Sequence, residues 1–243
     1  MLDRIKEIAK NALMLPASWC ERDNFLWERS QRLVNNVNLI ASLQEVIDKQ
    51  TDFDRLSLTS AAYFNEAGLA SFLKSEKNAP LQVIPSFSVA GNDHLIYLTT
   101  EVVIEQLKSL IPRQTINKIN SVIVHSYENG QKDPEAIILS DARNLDDMGV
   151  VGIFNELKNY LFAGKGINHL LKSWDSKIDY AYWQTRLDES FHFETVREIA
   201  RKRLYAAHFF MKQLKLEVCA LDIEKFIKHQ KKKPKQPPQN PEK

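Results

Sequence analysis

The sequence predicts an all-α fold. Apolar residues recur at helical spacing along most of the chain, and the breaks between those runs hold cap and turn residues. The composition, 44% apolar and 26% charged over 243 residues, is that of a globular protein. A helical body of this length buries enough apolar surface to fold without a disulfide or zinc staple. The two cysteines, Cys20 and Cys219, lie far apart with no CxxC pairing, which favours a reducing compartment.

The opening run MLDRIKEIAKNALML interrupts its apolar positions with charges, unlike a signal peptide. No window approaches the ~18 apolar residues of a membrane span. A soluble, cytoplasmic protein with no membrane span is expected. After Leu15-Pro16, a stripe from Phe25 and Leu26 through Leu33, Val37, Ile40, Leu43 and Ile47 predicts one long helix. A second helix is expected from Leu56 to Leu73, capped near Asp52 or Asp54. Pro80 to Tyr97 has two prolines, a glycine and no helical spacing, and reads as an irregular insertion.

Helices are expected again over Thr99–Leu110, with Thr99 or Thr100 as cap, and over Thr115–His125, closed by Glu128-Asn129-Gly130. Pro134 suits the first turn of a helix running through Asp141. Gly149 and Gly152 predict a bend or close packing in the helix Val150–Phe162, and Gly164-Lys165-Gly166 marks a loop. A long helix over Phe193–Leu216 and a short one over Ala220–Ile227 complete a single helical domain, 1–227. The remainder, 228–243, is a basic, proline-rich tail expected to be disordered.

Charge is divided unevenly. The net charge is +2, yet the tail carries six lysines against one glutamate, so the body is mildly acidic. A basic nucleic-acid-binding surface on the fold is therefore not expected, and contact with nucleic acid or anionic lipid is confined to a weak one through the lysine-rich tail.

Three stretches in order resemble the HD-domain metal-dependent phosphohydrolases. Trp27-Glu28-Arg29-Ser30-Gln31-Arg32-Leu33 is similar to the family's opening segment, in which a histidine precedes an Arg-Val pair by three residues. Ala61 to Gly68, AAYFNEAG, is similar to its apolar-His-Asp-Ile-Gly segment. Ile137 to Ile153, IILSDARNLDDMGVVGI, resembles a DAD-x-LD-x-x-G-x-x-GI run and is the most specific of the three. His125-Ser126 falls where the family often has His-Ser, and Thr195, Arg197, Ala200, Arg203 and Glu217 fit its closing helix. The resemblance covers about residues 24–217 and implies an HD-like helical bundle.

In that family two histidines and two aspartates hold a divalent metal. The resemblance places those ligands on Arg29, Asn65, Glu66 and Asp141, of which Asp141 alone keeps the family's identity. Asn65 offers a weak amide oxygen in place of an imidazole, and Arg29 has no lone pair to give and stays protonated. A guanidinium beside a dication repels it, so no metal cofactor and no metal-dependent catalysis are expected. Arg29 is expected instead to take the metal's place and pair with Glu66, Asp141 or both.

Each residue has a plainer reading as well. Arg29 and Arg32 suit a solvent-facing helix side, His125 a structural position near a helix end, and Asp146 and Asp147 a capping or surface role. His94, His169, His192, His208 and His229 show no metal-ligand spacing, and Gly164-Lys165-Gly166 lacks the spacing of a phosphate loop. Trp174, Tyr180, Tyr182 and Trp183 read as core packing or a pocket lid. The functional expectation is a catalytically inactive HD-like domain with a binding or regulatory role. Arg32, His125 and Asp146 would line its pocket, and a phosphate-containing small molecule or a protein would be its partner. Two alternatives stay open: a phosphohydrolase using Glu66, Asp141 and Asp146 around a loosely held metal, and a helical interaction scaffold.

Overall fold

A computed structural model describes residues 1–15, 24–49, 52–75, 93–128, 133–162 and 164–232. Its regular elements are all helices, and no strand occurs among the described residues. The fold is all-α. None of these helices is long and apolar enough to cross a membrane.

The first eight helices are α1 (Leu2–Leu13), α2 (Phe25–Ile40), α3 (Gln44–Lys49), α4 (Arg55–Phe64), α5 (Ala67–Ser75), α6 (Asp93–Leu107), α7 (Arg113–His125) and α8 (Pro134–Asp147). Here α2 packs on α4 and α8, α4 packs on α7, and α1 covers α4 and α5. Leu26, Leu33, Val37, Leu58, Phe64, Ile119, Ile123, Ile138 and Leu139 fill the space between them. A second group, α9 (Val150–Phe162), α10 (Ile167–Asp179), α11 (Tyr182–Glu189) and α12 (Glu194–Val218), packs on the first through α8. The last helix, α13 (Leu221–Lys232), packs on α12.

Two expected helices are each broken in two. The long helix stops at Ile40, where Ser42 Oγ donates to Leu39 O at 2.7 Å and the backbone tightens into Ser42 N to Leu39 O and Leu43 N to Ile40 O bonds. Its Leu39 and Ile47 are exposed. The second helix breaks at Asn65-Glu66. Ser30 Oγ of α2 donates to Tyr63 O at 2.6 Å, a carbonyl that an unbroken helix would offer to Ala67. This break turns Asn65 and Glu66 toward α2.

Asp54 is the cap of α4, accepting from Leu56 N at 2.9 Å and Ser57 N at 3.2 Å. Pro134 stands in the first turn of α8, as the sequence suggests; Asp133 is its cap, and α8 continues past Asp141 to Asp147. α6 begins at Asp93, so the 93–97 part of the expected insertion is helical and Thr99 is no cap. Thr99 is instead buried at the α5–α6 crossing, where its Oγ1 accepts from Gly68 N at 3.0 Å. A Cβ on Gly68 would lie 2.0 Å from Leu95 O, so only glycine permits this approach. Residues 80–92 lie outside the described residues. At the other end α13 runs through Lys232, so the first five residues of the expected disordered tail are helical; 233–243 lie outside the described residues.

Candidate functional site

The chain concentrates buried charge where the last turn of α8 meets α2. Two consecutive carboxylates, Asp146 and Asp147, stand at a helix C-terminus, where the macrodipole disfavours negative charge. Arginines from three other helices compensate them. Arg29, only 4% exposed, reaches Asp147 Oδ1 with Nη2 at 2.9 Å, and its Nε lies 3.4 Å from both Glu66 Oε1 and Asp146 Oδ2. Arg32, one turn along α2, reaches Asp146 Oδ1 at 2.9 Å and Asn155 Oδ1 of α9 at 3.4 Å. Arg186 of α11 holds the other oxygen of Asp147 at 2.8 Å and Asn144 Oδ1 at 2.9 Å. Arg203 of α12 donates to Leu145 O at 2.8 Å, satisfying a carbonyl of the last turn of α8.

Arg29 thus pairs with Glu66, as the sequence suggests, and not with Asp141. Asp141 is fully buried on another face of α8. It accepts from His192 N at 3.0 Å and Phe193 N at 3.1 Å, and its Oδ1 lies 2.8 Å from His192 Nδ1. It therefore ties down the chain entering α12. The surface or capping reading of Asp146 and Asp147 also fails: Asp146 is 2% exposed and both acids face arginines. His125 stays outside this network, with Nδ1 3.1 Å from Ser121 Oγ and 3.9 Å from Asp133 Oδ2. Asn65 donates its Nδ2 to Glu66 Oε1 at 2.9 Å. Trp174 and Trp183 pack with ring centroids 5.3 Å apart in the core, whereas Tyr180 is exposed.

Sequence reading missed Asp147, Asn144, Arg186, Arg203, His192 and the Tyr127–Arg143 pair as network members. Arg143 donates to Ser126 O at 3.1 Å and lies 3.4 Å over the Tyr127 ring. One signal was present: two adjacent acids ending a helix with no basic residue in its last turn require cations from elsewhere.

The electrostatics follow from the geometry. Burial alone would push the Arg29 guanidinium down, but Glu66, Asp147 and Asp146 outweigh it and hold the group above its ordinary value. Burial pushes the Asp147 carboxyl up, and Arg29 and Arg186 more than reverse it, leaving it below the usual carboxylate range. Burial prevails at Arg203, whose guanidinium is pushed below its ordinary value despite Asp146. Because the Asp147 pKa is depressed in the fold, its contribution to stability is complete above the unfolded aspartate value of about 3.9. It is lost as pH falls through the folded value. Acid titrations followed by circular dichroism should therefore show a stability loss below about pH 4 that is shallower in Asp147→Asn.

This donor set does not suit a divalent cation. The three carboxylates that converge here already share one guanidinium, no imidazole among the described residues joins them, and Asn65 presents its amide nitrogen to Glu66. Among the described residues no group of three or more His, Cys, Asp and Glu side chains is arranged to hold a metal ion. The arrangement suits anion binding better. A groove of about 460 Å³ opens beside the network between α2, α9 and α12, lined by Arg32, Asn35, Asn36, Asp146 and Arg203 and by Val150-Val151 at the start of α9. Gly149, at φ 96°, makes the turn there, and a Cβ on it would lie 2.9 Å from Arg203 Cβ.

No protein-family model matches the chain, and neither does any curated protein. Solved structures do. The fold is similar to the crystal structure of Bacillus subtilis YpgQ, with a TM-score of 0.56 and 16% identity over 89% of this chain and 95% of that one. It is similar to B. subtilis YpgQ in complex with ADP, with a TM-score of 0.55 and 15% identity over 90% and 98%. Lin1889 from Listeria innocua is a further neighbour, with a TM-score of 0.53 and 17% identity over 90% and 97%. At these identities the likeness is one of fold.

Proposed function

We propose that this protein is a catalytically inactive HD-like domain that binds a phosphate-containing ligand, with Arg29 standing where the family it resembles would hold a metal ion. The carrying observation is the Arg29 guanidinium seated among Glu66, Asp146 and Asp147. A fixed monovalent cation offsets part of the acids' charge, Arg32 and Arg186 offset the rest, and none of them activates a water or leaves an open coordination position. Hydrolysis by metal-bound hydroxide is thereby lost, while the positive field that attracts phosphate is kept.

The groove beside the network supplies the binding surface. Arg32 is one-third exposed and Arg203 half-buried, and both arginines near Asp146 compete with Arg29 for that single carboxylate. Across the network the guanidiniums of Arg29, Arg32, Arg143, Arg186 and Arg203 outnumber the carboxylates of Glu66, Asp146 and Asp147. Phosphate oxygens suit this excess, since guanidinium forks engage them in charge-assisted pairs without a metal. The positive end of the α9 dipole at Val150 adds to the attraction. The ADP complex of a protein of similar fold makes nucleoside diphosphates the first ligands to test.

Calorimetry and thermal shift with ADP, ATP and pyrophosphate, with and without Mg²⁺ or Mn²⁺, should give metal-independent binding. Asn35 is exposed and lines the groove. Asn35→Asp should weaken binding about tenfold by placing a like charge against the ligand and leave the melting temperature unchanged. Mn²⁺-dependent turnover by the wild-type chain would establish a working phosphohydrolase instead. No shift with any phosphate compound, together with a stoichiometric protein partner, would establish a scaffold.

A further inference from the structure

The C-terminal helix has no part in the network, yet it leaves apolar surface uncovered. α13 follows α12 through Cys219 and Ala220, the latter in the left-handed region at φ 53°. Within α13, Ile223, Phe226 and Ile227 are 58%, 64% and 46% exposed. Their i, i+3, i+4 spacing places all three within about 100° of the helix circumference. Lys228 sits off that stripe, exposed, and pairs with Glu224. The sequence from 225 to 235 holds six lysines, Lys225, Lys228, Lys231, Lys232, Lys233 and Lys235, and no acidic residue, while the chain before residue 228 is net negative.

We propose that α13, with the lysines that follow it, is a peripheral anchor for an anionic lipid surface. Apolar side chains at i, i+3, i+4 on a short helix of low overall hydrophobicity, with Lys228 off that stripe and a lysine-rich sequence, suit the boundary between headgroups and acyl chains. The phenylalanine and isoleucines enter the boundary, and the lysines meet acidic headgroups. Nucleic acid would use the lysines but gives no reason for three large apolar side chains to face water in a row. The charge division also sets an orientation, since an acidic body is repelled by the same surface that attracts the C-terminal segment.

Sedimentation of the full chain with vesicles tests this. Phosphatidylcholine vesicles containing phosphatidylglycerol should bind the protein at low salt and release it at high salt, and pure phosphatidylcholine should not bind it. Phe226→Asp should cut the affinity about tenfold or more, and each lysine replaced by glutamine should weaken it about fivefold. The melting temperature should not move in Phe226→Asp or Lys228→Gln, whose altered side chains are exposed. Absence of binding to the anionic vesicles would overturn the proposal. So would equal binding to neutral ones, or an affinity that survives Phe226→Asp but follows lysine number on vesicles and DNA alike.

Discussion

Replacing Arg29 with alanine is expected to lower the unfolding free energy by about 3–5 kcal/mol, because three buried carboxylates lose the cation they share. Coulomb repulsion among Glu66, Asp146 and Asp147 then adds to their desolvation. Arg32 and Arg186 relieve only Asp146 and Asp147, and leave Glu66 with the Asn65 amide. The pH dependence identifies the cause. In the wild type Arg29 and Arg186 hold the Asp147 carboxyl low, so stability rises as pH rises through the carboxylate range. In Arg29→Ala the Asp147 carboxyl loses the larger of the two attractions that offset its burial, so it moves up from its wild-type position and the gain in stability with rising pH shrinks. Denaturant melts between about pH 4 and 8 should therefore show the gap between the proteins widening upward. A uniform small loss would mean that Arg29 does not serve as counter-ion. Arg29→Lys separates charge from shape: it keeps the cation but cannot reach three carboxylates with one planar fork.

Most of the helical framework was legible because its signals are local. Asp54, Pro134 and the glycines near 149 act within one turn of where they stand, and apolar spacing reports the buried face of α2, α7 and α12. The two helix breaks were not legible, since neither Ser42 nor Asn65-Glu66 carries a proline or glycine. The second is associated with a hydrogen bond from Ser30, on a different helix. The acids show the same division. Arg29 and Glu66, which the resemblance brings together, lie 3.4 Å apart, but Asp141 and Asp146 are five residues apart on one helix, about 140° around its axis. They cannot both face Arg29. Asp146 and Asp147, about 100° apart, can flank one guanidinium and still reach Arg32 and Arg186. Helical geometry alone sets Asp141 apart from Asp146; what it could not supply was the long-range pairing of α8 with Arg186 and His192, which depends on how α11 and α12 dock.

Asp141→Ala is expected to be the second most damaging substitution, costing about 3 kcal/mol, with no metal involved. The carboxylate is fully buried and accepts from two backbone N–H groups where the chain enters α12. Alanine leaves both backbone donors without their acceptor, and each orphaned buried donor costs about 1–3 kcal/mol. Asp141→Asn keeps the volume and one oxygen, so it should lose about half as much. Melting curves in EDTA and in Mg²⁺ or Mn²⁺ decide what this aspartate is for. If Asp141 ligates a metal, the cation stabilises the wild type and not the variant, and the two Tm values diverge as metal is added. If it fastens the Phe191–Phe193 entry to α12, the deficit is the same in every buffer, and Arg32 and Arg203 still bind phosphate in a refolded Asp141→Asn protein. Independence of the Asp141 deficit from metal, together with a weaker pH dependence in Arg29→Ala, would mean that the buried charges of this fold are arranged to be neutralised from within, which leaves the partly exposed groove arginines Arg32 and Arg203 as the groups available to an external anion.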